Sequence, residues 1–189
     1  MDQQTLVLIG IVALAAIVLI AIAFAITAQR RKRLRDHFGP EYERVVSEQG
    51  DPAKADRVLA GREQRVKKLD IRALPESARA HFVDQWRGVQ ARFVDDPRGA
   101  VGDADSLIGE AMQARGYPVS DFEQRAADVS VEHPRVVTDY RTAHDIARRG
   151  EADTEELRRA MVHYRALFEE LVGAPSRDER IEEREESNR

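Results

Sequence analysis

The sequence predicts an all-α protein: an N-terminal transmembrane helix followed by a small antiparallel bundle of about five to six helices. Three observations predict this class: a long uncharged stretch near the N-terminus, apolar residues at helical spacing between Gly and Pro breaks, and no convincing strand or hairpin pattern. The predicted organisation is an anchor over 1–29, a basic flank and hinge over 30–40, a helical domain over 41–173, and a charged disordered tail over 174–189.

The anchor prediction depends on the stretch from Thr5 to Ala28, which contains no charged residue. As a helix it would extend about 36 Å at 1.5 Å per residue, and the hydrocarbon core of a bilayer is about 30 Å thick. A cleaved signal peptide is the main alternative. Its first segment should be basic, whereas "MDQQ" contains Asp2 and no Lys or Arg, and its apolar core should be shorter. The sequence therefore favours an uncleaved anchor.

A cluster of basic residues follows the anchor directly. Its members are Arg30, Arg31, Lys32, Arg33 and Arg35. Because basic residues next to a membrane span stay in the cytoplasm, we expect the N-terminus outside and the domain inside at the inner membrane. The same cations would attract anionic lipid head groups, each by about 1 kcal/mol. Gly39 and Pro40 are expected to form the hinge to the domain.

Charge and composition limit the partners. The formal net charge is −4, and it falls to −9 when the five positive charges of the flank are set aside. An acidic domain repels phosphate backbones, so nucleic acid is excluded as its partner. The absence of cysteine excludes disulfides and cysteine-ligated zinc. The preference for arginine over lysine and the abundance of alanine indicate a GC-rich bacterial genome.

The domain reads as helices separated by local stop signals. The predicted segments are 41–49, 52–71, 75–96, 97–116, 120–128, 134–149 and 153–173. Asp before Pro starts two of them, since Asp caps a helix and Pro fits its first turn. A capping box, "SDFE", is expected to start the segment at Ser120. Two apolar faces stand out, one with Phe82, Trp86, Val89 and Phe93, the other with Leu157, Met161, Tyr164, Phe168 and Leu171.

The sequence carries no recognisable catalytic motif. No HExxH, Walker A, GxSxG or GxGxxG pattern occurs, and no histidine has an acidic residue three positions before it. We therefore assign no catalytic residue, no metal ligand and no cofactor. One alternative remains open, a metal-binding or hydrolytic bundle built on His133, His144 and His163 with neighbouring acids.

The segment 115–141 is rich in residues that mark loop ends. Fixing two helix corners explains them, and a recognition surface for a partner protein is the functional alternative. The residues proposed for this surface are Tyr117, Pro118, His133, Pro134, Tyr140 and Arg141.

Several motifs occur in a characteristic order: "FGPEY", "FVDDP", "RGYP", "SVEHP" and "YR". In this order the chain resembles an uncharacterised family of small bacterial single-pass membrane-anchored proteins, over roughly Phe38 to Val172. The resemblance implies no reaction, cofactor or catalytic residue. Members of that family are sometimes labelled as secreted, which conflicts with the charge-based topology.

These observations together predict a membrane-anchored helical module for interaction or scaffolding. Its partners would be the bilayer and either an unknown protein or a second copy of the chain, because thin apolar stripes favour association. The alternatives are the helical-bundle enzyme described above and a domain exported to the envelope.

Overall fold

A computed structural model describes the backbone of residues 3–173, with the side chains of residue 14 and residues 16–173. It contains α1 (Gln3–Phe38), α2 (Pro40–Gln49), α3 (Pro52–Val66), α4 (Glu76–Arg92), α5 (Pro97–Ala114), α6 (Phe122–Glu132), α7 (Val137–Arg148) and α8 (Thr154–Gly173). No strand occurs in this range, and the prediction of an all-α bundle is confirmed. The predicted tail, 174–189, lies outside the described residues.

Helix α1 continues through the predicted flank and ends only at Gly39. The backbone of Gly39 has a φ of 52°, a left-handed conformation that glycine adopts without strain, and Pro40 then starts α2. Leu34 and Phe38 are fully buried against α2 and α3. The end of α1 therefore belongs to a small core that it shares with α2 and α3, and we call these three elements the N-terminal unit.

Within the part of the chain whose side chains are described, no helix combines the length and the apolar character needed to cross a membrane. The predicted anchor begins at residue 5, and its residues 5–13 and 15 lie outside the described side chains.

Helices α4 to α8 enclose the larger core, which we call the main bundle. The indole of Trp86 on α4 stacks on the ring of Phe168 on α8, with centroids 4.6 Å apart and planes 15° apart. Helix α8 packs against both α7 and α5. The two predicted apolar faces are confirmed, because Phe82 and Trp86 are buried, Val89 and Phe93 pack against them, and the whole α8 face is buried.

Helix α3 ends at Val66, five residues before the predicted boundary. Ile71 and Leu74 lie in a non-helical segment and are buried in the main bundle. The backbone N–H of Arg72 donates to the carbonyl of Arg115, at 2.8 Å. Burial of two large side chains and this long-range hydrogen bond favour the extended segment over further helix, and no local sequence pattern reports either contact.

The start of α6 differs from the predicted capping box by one residue. The Asp121 side chain accepts a hydrogen bond from the backbone N–H of Gln124, at 2.9 Å, whereas the Ser120 hydroxyl is buried without a partner among the described residues. Asp121 therefore occupies the N-cap, and the prediction that Ser120 does so is wrong. The helix also continues to Glu132, four residues beyond its predicted end.

We expect Asp121→Ala to lower the free energy of unfolding by about 1 kcal/mol, the usual contribution of an N-cap. Ser120→Ala removes a buried hydroxyl that makes no bond, so we expect no loss of stability. Urea unfolding of both variants measures the difference. Equal losses, or a larger loss for Ser120→Ala, would contradict the assignment of the cap.

Candidate functional site

The basic flank lies on the last turns of α1, where much of it contacts the domain. Arg31 forms an ion pair with Asp56 at 3.0 Å, Arg33 with Glu63 at 2.5 Å, and Arg35 with Glu43 at 2.7 Å. Arg30 and Lys32 are exposed and form no ion pair within the described range. Acidic residues of the domain thus neutralise three of the five flank charges, and the other two remain exposed to solvent.

Glu41, in the first turn of α2, is the centre of the junction between the two units. Its side chain is fully buried, although the residue carries a charge. Arg44 holds both carboxylate oxygens at 2.7 Å, which is the strong bidentate geometry. Arg62 of α3 donates to Oε1 at 2.7 Å, and Arg141 of α7 at 3.3 Å. One carboxylate therefore connects α2 and α3 with α7 of the main bundle.

The ionisation state of Glu41 follows from these contacts. Burial by itself would raise the pKa of this carboxyl, but the hydrogen bonds from Arg44 and Arg62 and the charge of Arg141 outweigh it, and the pKa falls to about 2. The group is therefore a carboxylate throughout the neutral range. It suits an ion-pairing role and has no proton to donate as a general acid.

Further polar contacts cross the same junction. Arg65 donates from Nε to the buried carboxylate of Asp128 at 2.8 Å. Nε2 of His37, one residue before the end of α1, lies 2.9 Å from the carbonyl oxygen of Val131 on α6. Because hydrogen-bonded ion pairs require defined geometry, these contacts hold the N-terminal unit in one orientation on the main bundle.

A second polar cluster lies inside the main bundle, around Asp105 of α5. Arg125 of α6 approaches its carboxylate at 3.3 Å. The hydroxyls of Tyr140 and Tyr164 are buried and make no hydrogen bond to the described residues. Burial raises the pKa of both phenols, and the charge of Asp105 raises it further. Both phenols are thus protonated at neutral pH. Sequence analysis did not identify Asp105 or Arg125, because no motif links them.

The three histidines of the alternative metal site lie in three different settings. Each has its own acidic partner: His133 with Glu170 at 3.2 Å, His144 with Asp105 at 3.9 Å, and His163 with Asp139 at 2.9 Å. Burial lowers the pKa of His133 and of His144, and the His144 ring stacks on Phe122 at 3.5 Å. No group of three potential ligands that could hold a metal ion occurs in the described part of the chain.

The residues predicted as a recognition surface do not form one exposed face. Tyr117, His133 and Tyr140 are buried, at 3%, 4% and 0% exposure. Pro134 and Arg141 are half-buried, and only Pro118 is exposed. Tyr117 and Tyr140 pack into the core of the main bundle, and a role of these six residues in partner recognition stays a prediction.

Comparisons of this chain with protein-family models, with curated proteins and with solved structures gave no match. The family resemblance drawn from the motif order stays a prediction. The functional argument therefore depends on the chemistry and geometry of this chain.

Proposed function

We propose that this protein is a membrane-anchored helical module for interaction or scaffolding, with α1 as its anchor. The observation that supports this most directly is the exposure of α1. From Leu14 to Ile26 its large hydrophobic residues are 47–75% exposed. These side chains lie on all faces of the helix, and none of them contributes to either core.

Lipid is the environment that suits such a segment. A surface helix of a water-soluble protein buries an apolar stripe and exposes a polar face, whereas this segment has neither. Exposed apolar patches of this extent are typical of protein or membrane interaction sites. The uncharged run in the sequence covers residues 5–28, long enough for a bilayer, and the basic flank that follows favours a cytoplasmic domain.

The connection between α1 and the domain supports a scaffolding role. The helix is continuous from Gln3 to Phe38, and its last turns are buried in the N-terminal unit. Two ion pairs, from Arg141 to Glu41 and from Arg65 to Asp128, then hold that unit on the main bundle. A domain joined to its anchor in this way would present one fixed face to partners near the bilayer.

Insertion of α1 can be tested with a charge placed in the middle of the apolar segment. We expect the full-length protein to resist extraction from bacterial membranes by alkaline carbonate. Ile20→Asp should release it, because a central Asp costs about 2.5–3.5 kcal/mol of insertion free energy, which corresponds to a shift of well over tenfold. Val162→Asp, at an exposed apolar position of α8, is the matched control and should remain in the membrane.

Three outcomes would each contradict a part of the proposal. Extraction of the wild type as readily as Ile20→Asp would show that α1 is no anchor. A phosphatase that is active only outside the cytoplasm, fused after Arg189, should show no activity; activity would support the exported alternative.

For the interaction role, crosslinking in intact membranes should yield a partner or a dimer, and recovery of a monomer alone would contradict it.

A further inference from the structure

A groove runs between α1 and α3 at the point where the apolar part of α1 gives way to its basic part. Its volume is about 470 Å³. Its lining includes Ile26, Arg30 and Arg33 of α1, Glu63 and Gln64 of α3, and Lys67 directly after α3. The groove therefore combines an apolar residue with cations and an amide.

The groove carries uncompensated positive charge. Arg33 is neutralised by Glu63, at 2.5 Å. Arg30 and Lys67 are both exposed, and neither has an acidic partner among the residues that the structure describes. Two cations are thus available to an anion that enters the groove, and Gln64 offers amide donors beside them.

A second basic groove differs in this respect. It lies between α3 and α6, with a volume of about 540 Å³, and includes Arg44, Arg62 and Arg65. Each of these arginines already binds a buried carboxylate, Glu41 or Asp128. Their charge stabilises the fold, so an incoming anion would compete with existing ion pairs there. A fourth arginine, Arg57, shares the groove with Glu48, Asp121 and Glu123.

The height of the α1–α3 groove matches the head-group level of a bilayer. Ile26 belongs to the apolar segment that the proposed function places in lipid. Arg30 follows four residues later, about 6 Å along the helix axis. Cations at this distance from the hydrocarbon core lie at the level of the lipid phosphates. The groove, which Arg30 lines, lies at the same level.

We propose that this groove binds the phosphate of an anionic phospholipid, with Arg30 and Lys67 as the two cationic contacts. Charge-assisted hydrogen bonds from both side chains would hold the phosphate oxygens, Gln64 would donate to the head group, and Ile26 would contact the start of the acyl chains. A zwitterionic lipid fits less well, because its ammonium group would meet the same two cations. This inference rests on the proposed membrane position of α1.

The role of Lys67 distinguishes a specific lipid site from a diffuse electrostatic attraction of anionic lipid to the basic flank. It follows α3, 37 positions after Arg30 in the chain, and only the fold brings the two to one groove. A diffuse attraction would depend on the number of charges near the bilayer. A built site depends on Lys67 in particular, so neutralising it should have an effect out of proportion to one surface charge.

The test uses the full-length protein in lipid nanodiscs. Spin-labelled phosphatidylglycerol and phosphatidylcholine report the association constant of the anionic lipid relative to the zwitterionic one. We expect Lys67→Gln and Arg30→Gln each to lower this ratio more than about tenfold, as the loss of a hydrogen bond between charged groups does, whereas the loss of one diffuse surface charge lowers it about fivefold. Lys32→Gln, an exposed lysine of the flank without an ion pair in the described structure and outside the groove, is the matched control and should lower the ratio no more than about fivefold, the effect of one diffuse charge.

Each other outcome overturns a defined part of the inference. If Lys67→Gln lowers the ratio no more than Lys32→Gln does, the groove is not the site. If soluble glycerol phosphate, added to the wild type, displaces the spin-labelled anionic lipid, the site takes free phosphate esters and the lipid assignment fails. Absence of the wild type from the disc fraction overturns the membrane position itself, whereas incorporation without selectivity overturns only the groove.

Discussion

The Glu41→Gln variant is expected to lose about 3–5 kcal/mol of its free energy of unfolding, the usual result of removing one partner from a buried ion pair. The amide keeps the shape of the side chain but removes the charge that Arg44, Arg62 and Arg141 share. Arg62 and Arg141 are themselves largely buried, at 11% side-chain exposure. Arg62 would then have no ion-pair partner among the described residues, and Arg141 would keep only the exposed Glu123, at 2.7 Å.

Glu43→Gln provides the matched control. Glu43 lies two residues away on α2, is exposed, and pairs only with the exposed Arg35 in the described structure, so we expect a loss below about 1 kcal/mol. Urea unfolding, followed by the fluorescence of Trp86, the only tryptophan, measures both variants. A difference of less than about 1 kcal/mol between them would contradict the central role of Glu41.

The same group predicts a pH dependence. Its pKa is about 2 in the folded protein and 4.5 for the ordinary group. A carboxyl with a lowered folded pKa contributes stability that is fully present above about pH 4.5 and is lost as the pH falls towards 2. The wild type should therefore lose more stability than Glu41→Gln between pH 5 and pH 2, and parallel pH profiles of the two proteins would contradict this explanation.

The Gly116→Ala variant is expected to lose about 3 kcal/mol or more. Gly116 has a φ of +101°, and a Cβ added there would lie 2.2 Å from the backbone carbonyl oxygen of Asp70. Backbone strain of this kind costs about 1–3 kcal/mol, and overpacking costs a similar amount. The contact cannot relax by a side-chain rotation, since it is made by the backbone of the segment that buries Ile71 and Leu74.

Gly102→Ala is the natural comparison, because it makes the same change inside α5. No atom lies within 4 Å of a Cβ built at Gly102, so the higher helix propensity of Ala should increase stability by up to about 1 kcal/mol. The two variants are thus predicted to change the free energy of unfolding in opposite directions. A loss for Gly116→Ala no larger than about 1 kcal/mol would contradict this prediction, because it would show that the backbone at Asp70 moves away from the added Cβ at little cost.

Much of the helical fold could be predicted from local signals. Asp96 with Pro97 correctly located the start of α5, where Asp96 accepts from the backbone N–H of Gly99 at 2.9 Å. Gly50 ends α2 in the left-handed conformation, as the Gly-Asp-Pro break predicted. These signals succeed because caps and breaks involve residues within one helical turn of each other.

The candidate site was less accessible to sequence analysis. In the sequence, Glu41 is an ordinary charged residue at the start of a short helix. No neighbouring sequence feature predicts that Arg62 and Arg141 contact it. Lys67 likewise gives no local sign of lying beside Arg30. Each of these contacts joins residues more than twenty positions apart, so a periodic pattern cannot report them.

The amino-acid sequence by itself determined that the chain is helical, where most of its helices begin, and which faces of α4 and α8 are buried. Periodicity and capping suffice for those features because they are local. Only the tertiary structure decided that α3 stops at Val66, that Tyr117, His133 and Tyr140 are buried, and that Glu41 joins two units. Burial and charge pairing depend on which distant segments meet, and the free energy of those contacts exceeds the small preferences of any single segment.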